Sequence, residues 1–348
     1  MTTLAQKVKF LSDPASYPLA PTMVEPIETH MSWIFLAGDR VYKFKKPARL
    51  PFLDHSTLAA RKANCLEELR LNKRLESDIY IRVVPLTRTS SGDLLIDGDG
   101  QIVEWLLEME RLPGEQVLDA LIAKDKVEPR DIAAIAHKLA AFYQAGPPQI
   151  ADGPLYLKHL SIEHAVNRKL LTRPEFGLGD DATIAIIDEV GQRFERVRSE
   201  IEDRIARGLL VEGHGDLRPE HIYVGSHINI IDCLEFDRSM RILDPYDEVN
   251  YLGIECQLQG GGWIRNLLLD TLDKHLKARP SPALMQFYSA FRAVLRARIC
   301  IAHLLDKKPA TPEIWPQRTR IYLDLAKDEC VRPHPPAGDG SSHYHEDA

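Results

Sequence analysis

Residues 24–46 alternate apolar and polar positions in three short runs, VEPIE, SWIFLAG and RVYKFKK. A period of two residues is what a half-buried strand imposes. Gly38-Asp39, between the last two runs, predicts a tight hairpin turn. The period then lengthens. Over 56–75, STLAARKANCLEELRLNKRL, the side chains of Leu58, Cys65, Leu66, Leu69 and Leu75 can share one helical face, and Ser56 offers an N-cap. IYIRVVPLT, DLLIDGDGQ and QIVEWLLEME return to the strand pattern. After Arg111-Leu112-Pro113-Gly114 the pattern is helical over 115–145, over 155–208 with a break at RPEFGLGDD, and from 245 to about 328. One short extended stretch interrupts it, HIYVG followed by INIIDCLEF. From Arg332 the chain has no apolar pattern and is expected to be disordered.

This order predicts an α+β chain of two lobes. A small N-terminal antiparallel β lobe with one helix occupies 1–110, a larger mainly helical lobe 111–330, and a tail 331–348. The composition changes little in that picture. With 348 residues, 44% hydrophobic and 27% charged, the chain can bury a sizeable core. A net charge of −7 argues against a nucleic-acid partner. Five scattered cysteines with no Cys-x-x-Cys pair argue against a zinc ribbon or a disulfide framework. The first residues lack the apolar stretch of a signal peptide, and no run approaches the ~18 apolar residues of a membrane span. The expected location is the cytoplasm, with no membrane partner; nothing in the sequence marks an oligomeric state.

The chemistry concentrates in His214-Gly215-Asp216-Leu217-Arg218-Pro219-Glu220-His221, followed sixteen positions after Asp216 by Asp232. Two strand-like runs, Ile222–Val224 and Ile228–Ile231, lie between the acids and would form a hairpin aiming both carboxylates at one cleft. Phosphoryl transfer needs that pair: one carboxylate to orient the attacking hydroxyl, another to hold Mg²⁺ on the phosphates.

These residues resemble the aminoglycoside phosphotransferase group of small-molecule kinases, in particular an uncharacterised bacterial branch of the protein-kinase-like fold. ETHMSWIFLAGDRVYKFKKP, EELRLNKRL, LLEMERLPGE, HGDLRPEH and DCLEFDRSMRILDPYDE carry the resemblance, which covers about residues 24–305. It implies a bilobed fold binding ATP between its lobes, with Asp216 as the catalytic acid, His214 as a structural brace of its loop, and Asp232 as a metal ligand. Lys43 matches the lysine that grips the α/β phosphates and Glu68 its ion-pair partner. Met109, Glu110 and Leu112 match the hinge facing the adenine. Thr29 and Ser32 replace a glycine-rich loop over the phosphates, and Asp247 matches the acid that ties down the catalytic loop.

Some assignments stay open at this level. Lys43 and Lys45 point to one face of a strand, and Glu67 competes with Glu68. His221 stands where the second metal ligand is usually Asn. It either binds a softer ion such as Mn²⁺ or bonds a phosphate or Asp216, leaving Glu235 or Asp237 to supply an oxygen. Glu163, His164, Arg168 and Lys169 are candidates for an acceptor wall, and Arg292, Arg296 and Arg298 for a basic patch or a salt-bridged face. The expected activity is ATP-dependent transfer of the γ-phosphate to a hydroxyl, or second in rank an amine, of a small-molecule acceptor. The alternative is a catalytically weak nucleotide-binding regulator.

Overall fold

The first three runs fold as β1 (Val24–Glu28), β2 (Ser32–Ala37) and β3 (Arg40–Lys45). Gly38 closes the β2–β3 turn at φ +64°, a conformation glycine adopts without a Cβ penalty, and the register runs from Ala37 opposite Arg40 to Ser32 opposite Lys45. The structure is a computed structural model and describes residues 2–50, 53–305 and 311–331. The expected disordered tail lies, from residue 332 on, outside the described residues.

A two-residue pair follows, β4 (Arg49–Leu50) with β5 (Leu53–Asp54). The long helix is α2 (Leu58–Asn72); an unpredicted α1 (Leu4–Leu11) precedes the sheet. The α2 N-cap is Thr57, whose hydroxyl accepts from the Ala60 N–H, while the expected cap Ser56 bonds back to Asp54. Leu66 is exposed, and the buried face of α2 carries Arg61, Cys65, Glu68, Leu71 and Asn72. Polar residues occupy that face because it lies against a charged site. β6 (Tyr80–Arg88), β7 (Leu94–Ile96) and β8 (Gln101–Glu110) complete a six-stranded antiparallel sheet of order β1-β2-β3-β8-β6-β7.

Strand β3 sits inside this sheet and is buried on both faces. Tyr42 and Phe44 pack with Phe35, Leu86, Leu106 and Leu11. Each fully buried aromatic or Leu here contributes about 1.5–3 kcal/mol of apolar burial. Val41, Lys43 and Lys45 face the other way, where Val41 packs with Tyr80, Leu107 and Met109.

The chain divides into two compact units. One joins the sheet and everything up to Pro148 with Val211–Leu276. Beyond the sheet it contains α3 (Leu118–Ala123) and α4 (Pro129–Ala145). The other unit holds Gln149–Leu210 and the chain from Lys277 on. Its helices are α5 (Gly153–Leu171), α6 (Asp181–Ala206), α9 (Pro282–Ala302) and α10 (Ile314–Val331). Phe194 of α6 stacks on Phe287 of α9 at 5.5 Å. Within the first unit, Val211–Leu276 supplies β9 (Val211–Glu212), the hairpin β10 (Ile222–Val224) and β11 (Ile228–Ile230), β12 (Ile242–Leu243) paired with β9, and helices α7 (Pro245–Leu258) and α8 (Ile264–Leu276). The β10–β11 hairpin is the one expected between the two acids. Among the described residues no helix is long and apolar enough to cross a membrane.

Candidate active site

A strand, a helix and the segment after β11 deliver an ion network. Lys43 of β3 donates to Glu68 Oε1 of α2 at 2.8 Å and to Asp232 Oδ1 at 2.7 Å. Burial works against its ammonium, but Asp232, Glu68 and Glu235 outweigh it and hold the pKa well above the ordinary lysine value. Lys45, two residues on and on the same face, takes the other Glu68 oxygen at 2.5 Å and pairs with Glu235. Glu68 therefore serves both lysines, one per oxygen. Its burial would raise its pKa, and the two ammonium groups lower it. Only Lys43 touches Asp232 among the lysines of this network. Glu67 is engaged elsewhere, by Arg70 and by the buried Arg241.

The loop bearing Asp216 is braced by a neutral histidine. His214 is fully buried, and burial lowers its pKa. Its Nε2 lies 2.8 Å from the Ile231 carbonyl, which can only accept, so Nε2 carries the proton. Nδ1 then accepts from the Asp216 N–H at 3.3 Å. One imidazole thus links the loop at 216 to the residue before Asp232. Gly215 makes the turn at φ +88°; a Cβ there would stand 2.9 Å from Leu234 Cβ. Glu248, next to the expected Asp247, ties down this loop. Glu248 accepts from the His214 N–H at 3.1 Å, from the Gly215 N–H at 2.6 Å and from the Tyr143 hydroxyl at 2.7 Å.

Asp232 adopts φ +66°, a left-handed conformation that Asp tolerates better than most residues. Strain of this kind gathers at functional sites. Here the Tyr80 hydroxyl accepts the Asp232 N–H at 3.0 Å, and Asn72 Oδ1 accepts the next N–H, of Cys233, at 2.9 Å. The Asp232 side chain stays 41% exposed, open to a ligand. Burial would raise its pKa, but Lys43 holds it far below the carboxylate range.

His221 sits between the two acids. Its Nδ1 lies 2.8 Å from the Asp216 carbonyl and must donate to it. In the neutral ring Nε2 then presents a lone pair, 3.7 Å from Asp232 Oδ2. That nitrogen also faces the Arg218 Nη2 at 3.3 Å, so ligating a metal through it would displace the guanidinium contact. Asp232 and His221 thus fit a divalent cation as a two-donor set. Among the described residues no group of three or more His, Cys, Asp or Glu is placed to hold a metal, so phosphate oxygens and water would complete the coordination. Glu235, engaged by Lys45, and Asp237, which accepts from the Ser239 N–H, are both occupied elsewhere.

Arg218 went unnoticed in the sequence. Its Nε is 3.1 Å from Asp216 Oδ1 and Nη2 3.3 Å from His221 Nε2. An Arg two residues after the loop acid was the available signal. At the hinge, the Glu110 and Arg111 N–H groups donate to Ile79 and Asp39, whereas the Leu112 N–H finds no partner among the described residues. Met109 is locked into the ladders with β3 and β6. In the β1–β2 turn, the Thr29 hydroxyl accepts from the Ser32 N–H and donates to the Ser32 carbonyl, so it shapes the turn. Lys46 clamps the turn from Glu28 and the Thr29 carbonyl. In the helical unit, Glu163 pairs with Arg298 and Arg168 with Asp188, and Arg296 lies over the Tyr322 ring, so those side chains bind one another.

The chain matches no protein-family model. It is 27% identical over 303 residues to the uncharacterised protein Rv2004c of Mycobacterium tuberculosis and to the uncharacterised protein Mb2027c of Mycobacterium bovis. That match covers 81% of this chain and 55% of each relative, so the chain spans about half the length of the curated relatives it matches. Among solved structures it is similar to a choline/ethanolamine kinase family protein from Mesorhizobium loti, with TM-score 0.56 and 15% identity over 93% of this chain and 95% of that one. It is also similar to a choline kinase from Cryptosporidium parvum, with TM-score 0.50 and 10% identity over 92% and 95%. A spectinomycin phosphotransferase aligns at TM-score 0.47, with 9% identity over 93% and 98%. The fold is the α+β kinase-like fold that the sequence led us to expect.

Proposed function

We propose that the chain is an ATP-dependent phosphotransferase that moves the γ-phosphate to a hydroxyl of a small-molecule acceptor. The observation that carries this is the convergence of Lys43, Asp232, His221, Arg218 and Asp216 around one partly exposed carboxylate pair. Lys43 would exchange its contact with Asp232 for the α/β phosphates while Glu68 keeps it in place. Asp232 and the His221 lone pair would hold Mg²⁺ or Mn²⁺, which neutralises phosphate charge when bound. The Asp216 carboxylate orients the acceptor O–H for in-line attack and takes up its proton. Arg218, held on Asp216, supplies positive charge beside the moving phosphoryl group. The open Leu112 N–H suits the adenine edge. Such chemistry fits the cytoplasm, where ATP is plentiful.

The regulator reading has one supporting observation: the Arg218 guanidinium lies on Asp216 and occupies the oxygen that would face an acceptor hydroxyl. One experiment separates the two. Phosphoryl transfer from labelled ATP to a metabolite pool, scored by mass shift, is expected with the native chain and to fall at least a hundredfold in Asp216→Asn. Nucleotide binding without turnover in both proteins sinks the kinase reading.

A further inference from the structure

Arg218 sits on both groups that the proposed transfer needs uncovered. Its Nε is 3.1 Å from Asp216 Oδ1, the oxygen that would face an acceptor hydroxyl, and its Nη2 is 3.3 Å from His221 Nε2, the nitrogen that would take a cation. The partners fix the tautomer. His221 Nδ1 donates to the Asp216 carbonyl, and a guanidinium only donates, so Nε2 turns the single lone pair of a neutral ring towards Nη2. One lone pair cannot serve two partners. An ion bound there would take the place that Nη2 now has, and would set one positive charge against another.

The guanidinium's contacts with these groups are long, and it has another seat. At 3.1 and 3.3 Å they exceed the 2.7–2.9 Å of a good charge-assisted bond to oxygen, roughly the range such pairs reach. The Asp216 carboxylate is 36% exposed, and an ion pair open to water contributes little by itself. Nη1 already lies 3.4 Å from Glu220 Oε1, on a side chain that is 40% exposed. The backbone stays while the side chain turns. Leu217 and Pro219, on either side of Arg218, are buried, and the proline ring fixes its own φ.

We propose that Arg218 is a cation-released lock. Without a divalent ion its guanidinium covers Asp216 and His221 together; an ion taken up by Asp232 and His221 Nε2 drives it off both, towards Glu220. Ion binding and the uncovering of Asp216 are then one event, and by reciprocity the closed lock weakens ion binding. An acceptor hydroxyl meets a free carboxylate only once the cation is in place. That ordering of events rests on the proposed kinase function; the competition between Arg218 and the ion does not.

The test is calorimetric titration of the full chain with MnCl₂, the Asp232→Asn variant identifying which heat belongs to this site. Arg218→Met should tighten that binding at least tenfold, about the weight of one charge-assisted hydrogen bond. Plain charge repulsion would tighten it too, and a mutant cycle tells the causes apart. In a His221→Ala background, where the lock has lost its seat on the ligand, Arg218→Met should change the affinity less than about threefold. If His221→Ala does not fold, Arg218→Lys decides, since it keeps the charge without the fork: tighter binding supports the lock and unchanged binding overturns it. Release from Asp216 is read from the Arg218 Nε–H resonance, identified by its loss in Arg218→Met; saturating Mg²⁺ should shift it, and an unmoved resonance overturns the proposal. So do the absence of a Mn²⁺ site that Asp232→Asn removes, unchanged or weaker binding in Arg218→Met, and an equal gain in the His221→Ala background. ATP titrated into the same samples reads the kinase function separately. The Mn²⁺ pattern without ATP binding removes only the kinase reading, and ATP binding with no Mn²⁺ gain in Arg218→Met removes only the lock.

Discussion

The two lysines of β3 should divide stability from catalysis. Lys45 is 1% exposed and lies between Glu68 and Glu235, themselves buried. Lys45→Met removes one partner from a buried ionic group, which ordinarily costs about 3–5 kcal/mol. The lower end is expected, because burial already raises the Glu235 pKa and that carboxyl can take up a proton once its partner is gone. Lys43→Met leaves Glu68 still paired with Lys45, and leaves an Asp232 that is 41% exposed and partly hydrated. Its stability cost should be about 1–2 kcal/mol, discounted for that exposure. Catalysis reverses the order. Losing a charged contact to the phosphates costs about 10²–10³ in rate, or ~3–4 kcal/mol. Urea titrations followed by tryptophan fluorescence give the first quantity and kcat/KM for ATP in the folded fraction the second. Lys45→Met should lower the urea midpoint strongly while changing kcat/KM less than tenfold, and Lys43→Met should do the opposite. Adding Glu235→Leu to Lys45→Met should restore part of the lost stability, since replacing both members of a buried pair is far milder than removing one. If Lys45→Met cuts kcat/KM as deeply as Lys43→Met at an unchanged midpoint, the assignment of Lys43 to the phosphates is wrong.

Gly215→Ala must hold φ near +88° and place a methyl 2.9 Å from Leu234 Cβ, so a loss of roughly 2–4 kcal/mol in the urea midpoint is expected, together with loss of transfer. His55 gives a pH signature. Its pKa falls from 6.5 in the open chain to about 4 in the fold, so below pH 6.5 the unfolded chain takes up a proton that the folded chain refuses. Stability is therefore full above that value and drains as the pH falls towards 4, by about 2–3 kcal/mol. His55→Phe should flatten this part of the difference between urea midpoints at pH 7.5 and 4.5; an unchanged slope would mean that the ring is not held neutral.

The local periods were enough to find the sheet strands, α2 and the hairpin between the acids, because each has its own alternation and a turn residue to bound it. They did not resolve choices between adjacent positions. Ser56 and Thr57 are equal as caps until the chain direction decides, and the structure gives the role to Thr57. Asp247 and Glu248 stand together in the first turn of α7, and only the approach of the 213–215 loop reveals that Glu248 accepts its N–H groups. Lys43 and Lys45 share a face by alternation, and no local rule could reveal one carboxylate serving both. The supports of Asp232 were beyond reach for another reason. Tyr80 and Asn72 lie over 150 residues away in sequence, and their side chains are ordinary residues of a strand and a helix until the fold brings them to one backbone turn.

His221 looked like a departure from the kinase pattern, and the geometry shows why it need not disable the site. An asparagine in that place would present both kinds of group, a donating NH₂ with two N–H bonds and an accepting carbonyl oxygen. Neutral imidazole presents the same pair from opposite edges of its ring. In this chain the donor edge is already committed, since Nδ1 faces a carbonyl that can only accept, and the acceptor edge is turned towards Asp232. The Ile231 N–H donates to the His221 carbonyl at 2.9 Å, which ties the segment leading into Asp232 to the histidine beside it. The hydrogen-bonding roles survive the exchange of residue; what changes is the softness of the ligand. Nitrogen in place of oxygen weakens the preference for Mg²⁺ and favours Mn²⁺ relative to it. Under the proposed function, the substitution would therefore bear on which ion serves the reaction, while the alignment of acceptor and phosphate would continue to rest on Asp216, Lys43 and the braces that hold them.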